Sequence, residues 1–175
     1  MNYLDESIVL DKIVFRKLKL ADASTIFKQV NEMHKSYNEP IETQESIKQD
    51  IRQSWKEMNN KKKYQYGILF ENNFIGTITA TPNYLNKNCE LGYYLAKEYW
   101  GKGHFHQILK LFLSYLFKLN CNKVYFRVRS DNPRGEGSLM KFGAKKEGVI
   151  RAYFFEKGKE VDAYYFGILK REFMG

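Results

Sequence analysis

The sequence predicts an α/β domain with a mixed β-sheet of about seven strands. Three features predict it. Short runs alternating apolar and polar residues are interleaved with longer stretches whose apolar residues recur at helical spacing. A glycine loop, Trp100-Gly101-Lys102-Gly103-His104-Phe105, joins an apparent strand to a strongly apolar helix. The chain has only three prolines and shows no Gly/Ser-rich linker, repeat or low-complexity tract. The predicted order is β-α-α-β-β-β-α-β-α-β-β, read as one domain over residues 1–175.

Each element has its own signal. Ile13 to Leu18 alternates apolar and charged residues and reads as a strand. Asp22 is placed to cap a helix whose face is Ala23, Ile26, Phe27, Val30 and Met33. Thr43 is placed to cap a second helix, with Ile47, Ile51, Trp55 and Met58 as its stripe. Tyr64 to Phe70, a turn at Glu71-Asn72-Asn73, and Phe74 to Ala80 form a hairpin. The strand Glu90 to Ala96 leads through the glycine loop into a helix from His106 to Leu119. Lys123 to Val128 is another strand, and Asn132-Pro133 caps and opens a short helix ending near Gly143. Strands from Lys145 to Phe155 and Val161 to Leu169 flank a turn at Lys157-Gly158.

Composition narrows the function. A net charge of +9 suits an anionic ligand, but the lysines are scattered and no recognition helix or stacking motif accompanies them, so no nucleic acid is expected. Lys61-Lys62-Lys63 is the only basic run and reads as a solvated turn. Cys89 and Cys121 lie in no paired spacing, which argues against a disulfide framework and against a metal site. The N-terminus, with Asp5, Glu6 and Asp11, lacks a signal-peptide profile. The longest apolar stretch, Ile108 to Phe117, is broken by Lys110 and too short to cross a bilayer. A cytoplasmic protein with no membrane association is expected.

The glycine loop carries the chemistry. Glycines allow a tight turn and close approach of the backbone to a ligand. The helix that follows leaves its first amides without partners inside the helix and adds the positive end of its dipole, which together seat a phosphate. A Walker loop is excluded because His104 stands where Ser or Thr must follow Gly-Lys. A dinucleotide-binding loop needs a third glycine where His106 stands and an acid near Lys123 to Arg127, and both are missing.

Three blocks, Glu90 to Gly103, Asn132 to Gly143 and Lys145 to Phe155, carry a family resemblance in matching order and spacing. Through them the chain, from Phe15 to about Phe173, resembles the GNAT superfamily of N-acetyltransferases, and within it the RimJ/RimL type that acetylates ribosomal-protein N-termini. The resemblance implies a GNAT fold that binds acetyl-CoA as co-substrate. Tyr93, Tyr94, Leu95 and Ala96 would pair with the pantetheine arm. The amides of Gly101, Lys102, Gly103, His104 and Phe105 would hold the diphosphate. Asn132 would touch pantetheine, with a plain helix cap before Pro133 as its alternative, the two roles being compatible. Glu90 matches the position of a general base, with strand-end solvation as its plain alternative. A homodimer is compatible with the resemblance, dimers being common in the family.

The chain also departs from the family pattern. Phe105 replaces a small residue, so its ring either crowds the helix–cofactor contact or points into the core. Gly135 stands where the branch has Ser, and Ala144 where it has Phe. Leu139 occupies the place of the tyrosine that protonates the leaving thiolate in many relatives, which leaves the general acid unassigned between Ser138 and Tyr93. Lys102 and His104 read as solvated loop side chains, with added positive charge near the phosphates as the alternative, His106 as a first-turn polar residue, and His34 has no role. A ping-pong route through Cys89 or Cys121 lacks a Cys-His pair.

For the acceptor, an α-amine titrates at roughly 8 and a lysine amine at about 10.4, so deprotonating the lysine costs about 3.3 kcal/mol more near neutrality. One base and no evident acid therefore suit a protein N-terminal α-amine. Against this, His34 to Pro40 lacks the tryptophan-rich loop of the N-terminal acetylating branch. That segment, with Tyr153, Phe154 and Phe155, would line the acceptor side. The alternatives are a small amine (polyamine, amino sugar or antibiotic) and a non-catalytic acyl-CoA-binding regulatory module, the latter favoured by Phe105, Gly135 and Leu139.

Overall fold

The computed structural model describes residues 1–37, 43–156 and 158–173, with the backbone alone for 33–37. Lys157 of the expected turn, the Met33 side chain, and His34 to Pro40 apart from helical backbone lie outside the described residues. One mixed eight-stranded sheet has the order β1 (Ser7–Leu10), β2 (Ile13–Lys17), β3 (Tyr64–Phe70), β4 (Asn73–Asn83), β5 (Asn88–Leu95), β6 (Lys123–Arg129), β8 (Lys159–Leu169), β7 (Lys145–Glu156). The strand beyond those predicted is β1 (Ser7–Leu10), which pairs antiparallel with β2 (Ile13–Lys17) across a turn where Asp11 takes φ 56°. Contacts divide the chain into two compact units, residues 3–81 with 93–112, and residues 1–2, 82–92 and 113–175.

In the unit of residues 3–81 and 93–112, β1, β2, β3 (Tyr64–Phe70) and β4 (Asn73–Asn83) form an antiparallel meander. The β3–β4 hairpin closes on Glu71 and Asn72, with φ of 48° and 67°, the left-handed pair that matches strand twist. Helix α1 (Ala23–Tyr37) and α2 (Gln44–Asn59) pack through Ala23, Ile26, Val30, Ile47 and Ile51 against Leu18, with Phe27 and Trp55 at the margin. The Trp55 indole donates to the Leu18 carbonyl at 2.8 Å. Thr43 caps α2 as expected: its hydroxyl accepts from Ser46 N at 3.0 Å, and Ser46 Oγ accepts from Thr43 N at 3.1 Å.

Asp22 does something other than cap α1. Its carboxylate turns back on a 3-10 turn, Leu20–Asp22, and accepts from Lys19 N at 2.7 Å and from both terminal nitrogens of Arg16 at 2.8 Å. A charged, planar donor outcompetes the helix's own amides for those oxygens.

In the unit of residues 1–2, 82–92 and 113–175, β6 (Lys123–Arg129) and β8 (Lys159–Leu169) are antiparallel, and β8 pairs with β7 (Lys145–Glu156). β6 alternates strictly. Val124, Phe126 and Val128 are buried, whereas Lys123, Tyr125, Arg127 and Arg129 are half-buried on the other face. Helix α4 (Pro133–Phe142) ends on Gly143 at φ 101°, and α5 (Lys170–Phe173) brings Phe173 against Phe117. β5 (Asn88–Leu95) pairs in parallel with β6 through Asn88↔Lys123, Cys89↔Val124 and Glu90↔Tyr125.

Candidate active site

The glycine loop is built by its two ends. Ala96 N donates to Ile75 O at 2.8 Å, and a 3-10 turn over Lys97–Tyr99 follows. The Trp100 indole then donates to Leu95 O at 2.7 Å, which folds the loop back on its own strand. Gly101 and Gly103 take φ of 73° and 81°, a region costly for any side chain with a Cβ. Among the described residues, the adjoining ones aside, nothing lies within 4 Å of where a Cβ would stand on either glycine, so that side of the bend is open.

Helix α3 (His104–Lys118) starts two residues earlier than the sequence suggested, because Gly103 rather than His106 marks the break. Gln107 N donates to Gly103 O at 3.2 Å and closes the first turn. His104 and Phe105 are thus helical. The His104 ring lies between Phe70 and Tyr99, at centroid distances of 4.8 and 5.5 Å, instead of standing free in solvent.

Phe105 points inward. Its ring stacks on Tyr93 at 4.5 Å and 28°, and it lines a small apolar cavity with Ile68, Ile78, Leu95, Ile108 and Leu109. Of the two orientations left open by the sequence, the core-facing one is found. Burial pushes the Tyr93 hydroxyl far above its usual range, so the phenol stays protonated. Tyr94 is raised by burial as well, and its hydroxyl lies 3.4 Å from Gln29 Oε1.

Asn132 and Gly135 explain one another. Asn132 Oδ1 accepts from Gly135 N at 2.9 Å, the capping bond of α4. A Cβ on Gly135 would sit 2.9 Å from Asn132 Nδ2 and 3.2 Å from Val128 Cγ1. The missing serine therefore gives the carboxamide its space, and the Asn132 amide group keeps its hydrogens for another partner. Leu139 is fully buried, so the departure from tyrosine there serves the core.

Glu90, the carboxylate matched by resemblance to a general base, has an arginine as its partner. Arg127 Nε donates to Glu90 Oε1 at 2.5 Å, and Arg127 Nη2 contacts the same oxygen. Among the described residues no hydrogen bond falls on Oε2. Around the pair, Tyr125 and Tyr165 stack at 4.9 Å, and the Tyr153 ring lies 4.8 Å from the Arg127 guanidinium. Three more carboxylates of the same unit hold cations: Glu147 pairs with Lys123, and both Asp131 and Glu156 pair with Arg129. The signal for Arg127 was present in the alternation of β6, where charged residues recur at every second position.

Neither cysteine is placed for catalysis. Both are buried, and burial pushes the Cys121 thiol up to about 11, away from the thiolate form.

A family model for an acetyltransferase (GNAT) domain matches residues 12–145. The chain belongs to this family. It is an acetyl-CoA-dependent N-acetyltransferase, an acyltransferase with the GNAT fold. This acetyltransferase is 27% identical over 177 residues to the uncharacterized N-acetyltransferase p20 of Bacillus licheniformis, covering 97% of this chain and 99% of the relative. It is 28% identical over 106 residues to the spermidine N(1)-acetyltransferase of Vibrio cholerae, covering 59% and 61%. Its fold is shared with RimL, a ribosomal L7/L12 α-N-protein acetyltransferase solved with coenzyme A, at a TM-score of 0.81 and 15% identity over 94% and 98% of the two chains. Among the described residues no helix is long and apolar enough to cross a membrane.

Proposed function

We propose that this enzyme acetylates a protein N-terminal α-amine, with Glu90 as the base. The amine lone pair attacks the thioester carbonyl carbon of acetyl-CoA. A C–N bond forms, the C–S bond breaks, and coenzyme A leaves as its thiol. The proton released by the amine goes to Glu90 Oε2, directly or through water.

For acetyl-CoA, the fit rests on the glycine bend. Main-chain N–H groups of Gly101 to Phe105 would hold the diphosphate, aided by the α3 dipole and by Lys102. Tyr93 to Ala96 would pair with pantetheine as a strand does, and the Asn132 amide group would donate to it. The inward turn of Phe105 supports this, because its ring leaves the outer side of the bend open. The leaving thiolate takes its proton from solvent, since burial holds the Tyr93 phenol in its protonated form.

The observation that carries the acceptor assignment is the pairing of carboxylates around Glu90. A polyamine needs several uncompensated acids along its length, whereas Glu90 and Glu147 already hold Arg127 and Lys123. One open carboxylate oxygen suits one amine, and the more acidic α-ammonium gives up its proton more readily. The test is thiol release from acetyl-CoA against N-terminal peptides, spermidine and aminoglycosides. Turnover with peptides is expected. Turnover with spermidine alone would overturn the assignment, and coenzyme A binding with no turnover on any acceptor would favour a regulatory module.

A further inference from the structure

We propose that Arg127 is the positioning residue for Glu90 and that a bulge in β7 exists to hold it there, an inference that rests on Glu90 as the base. Arg127 places two N–H groups on a single oxygen, Oε1. That contact orients the carboxylate while leaving Oε2 open. A bidentate fork–fork arrangement would have occupied both oxygens and blocked the proton acceptor.

The guanidinium is held from its other side. Tyr153 covers it at 4.8 Å, and Tyr153 reaches that place through an irregularity of β7. The β7–β8 register runs to Ile150↔Ala163 and resumes at Phe154↔Val161, so residues 151–153 lie opposite the single residue Asp162. In the middle of this bulge Ala152 takes φ 51°, uncommon for a residue with a Cβ. Asp162 fastens it: Oδ1 accepts from Ala152 N at 2.8 Å, and its carbonyl accepts from Ser130 N at 2.9 Å. A bulge re-aims a side chain next to a functional group, and the re-aimed side chain here is Tyr153. The Tyr153 ring meets Phe154 edge-on at 4.8 Å, which keeps it over the guanidinium.

Tyr153 thus acts on Arg127, and Arg127 on Glu90. Neither need touch the substrate. A double-mutant cycle on the full chain tests this, with kcat from thiol release and acetyl-CoA affinity from calorimetry. Glu90→Gln should lower kcat about a hundredfold and Arg127→Ala about tenfold, with affinity for acetyl-CoA unchanged in both. In the double variant the Arg127 effect should vanish, leaving kcat within about twofold of Glu90→Gln alone. Arg127→Lys, which keeps the charge on a single donor nitrogen, should recover part of the loss. If the tenfold loss persists on the Glu90→Gln background, Arg127 acts independently and the positioning role is overturned while Glu90 stands. If Glu90→Gln turns over normally, the base itself is wrong. Should Arg127→Ala fail to fold, Tyr153→Leu decides, the residue being 41% exposed and outside the core. A loss of about threefold that disappears with Glu90→Gln supports the chain of contacts, and an undiminished kcat in Tyr153→Leu overturns it.

Discussion

Asp22 and Glu90 are both carboxylates held by an arginine, and they differ in what is left over. Asp22 engages both oxygens, one with Arg16 and one with Arg16 and the Lys19 amide. Glu90 engages one oxygen, although two nitrogens of Arg127 are at hand. Asp22 is also the more buried, its side chain 11% exposed against 21% for Glu90. A closed pair fixes a turn and answers to stability. A pair with one oxygen open has unspent acceptor capacity, and in an enzyme that must remove a proton from an amine this is the group to suspect.

The comparison can be broken most heavily from the Asp22 side. Asp22→Asn should cost roughly 1.5–3 kcal/mol in urea denaturation, since it leaves the Arg16 guanidinium partly buried without its anion. The kcat of the folded enzyme should not change. Equal losses of stability in Asp22→Asn and Glu90→Gln would erase the distinction.

Acid unfolding sharpens the same contrast. Burial alone would raise the Asp22 carboxyl, but hydrogen bonds from Arg16 and Lys19, with their positive charges, outweigh it and hold it below the usual range. Its folded value therefore lies below its unfolded value of about 3.9, so its contribution is complete above that value and drains as pH falls through the folded one. Stability measured between pH 5 and pH 2 should decline in the native chain, and the decline should be shallower in Asp22→Asn.

Two smaller effects concern the cofactor side. Gly103→Val should cost about 1–2 kcal/mol of stability through its positive φ and weaken acetyl-CoA binding by calorimetry. An unchanged affinity would remove the loop backbone from diphosphate binding. Gly135→Ser should cost about 1 kcal/mol, because Asn132 must give up its capping position, and a thermal melt registers the loss.

Much of this was legible in the chain itself, and what was not has identifiable causes. Strands with clear alternation or turn residues, such as β6 and the β3–β4 hairpin, stood out because period and turn chemistry are local. Ser7–Leu10 did not, since four residues beside an Asp-Lys turn carry too little pattern to distinguish a strand from a tail. Asp22 was misassigned because its competitor, Arg16, lies on a different element. Gly135 looked like a defect until the Asn132 carboxamide was seen occupying the space of its missing side chain. Arg127 escaped for the same reason as Arg16. It lies 37 residues beyond Glu90, and only the parallel register Glu90↔Tyr125 brings it near.

Steady-state turnover of Glu90→Gln, measured beside its melting temperature and its acetyl-CoA affinity, tests the central claim most directly. A kcat about a hundredfold lower, in a protein that melts and binds acetyl-CoA like the native chain, is the predicted result. Native turnover in that variant would contradict the account and leave Glu90 as one more strand-end ion pair.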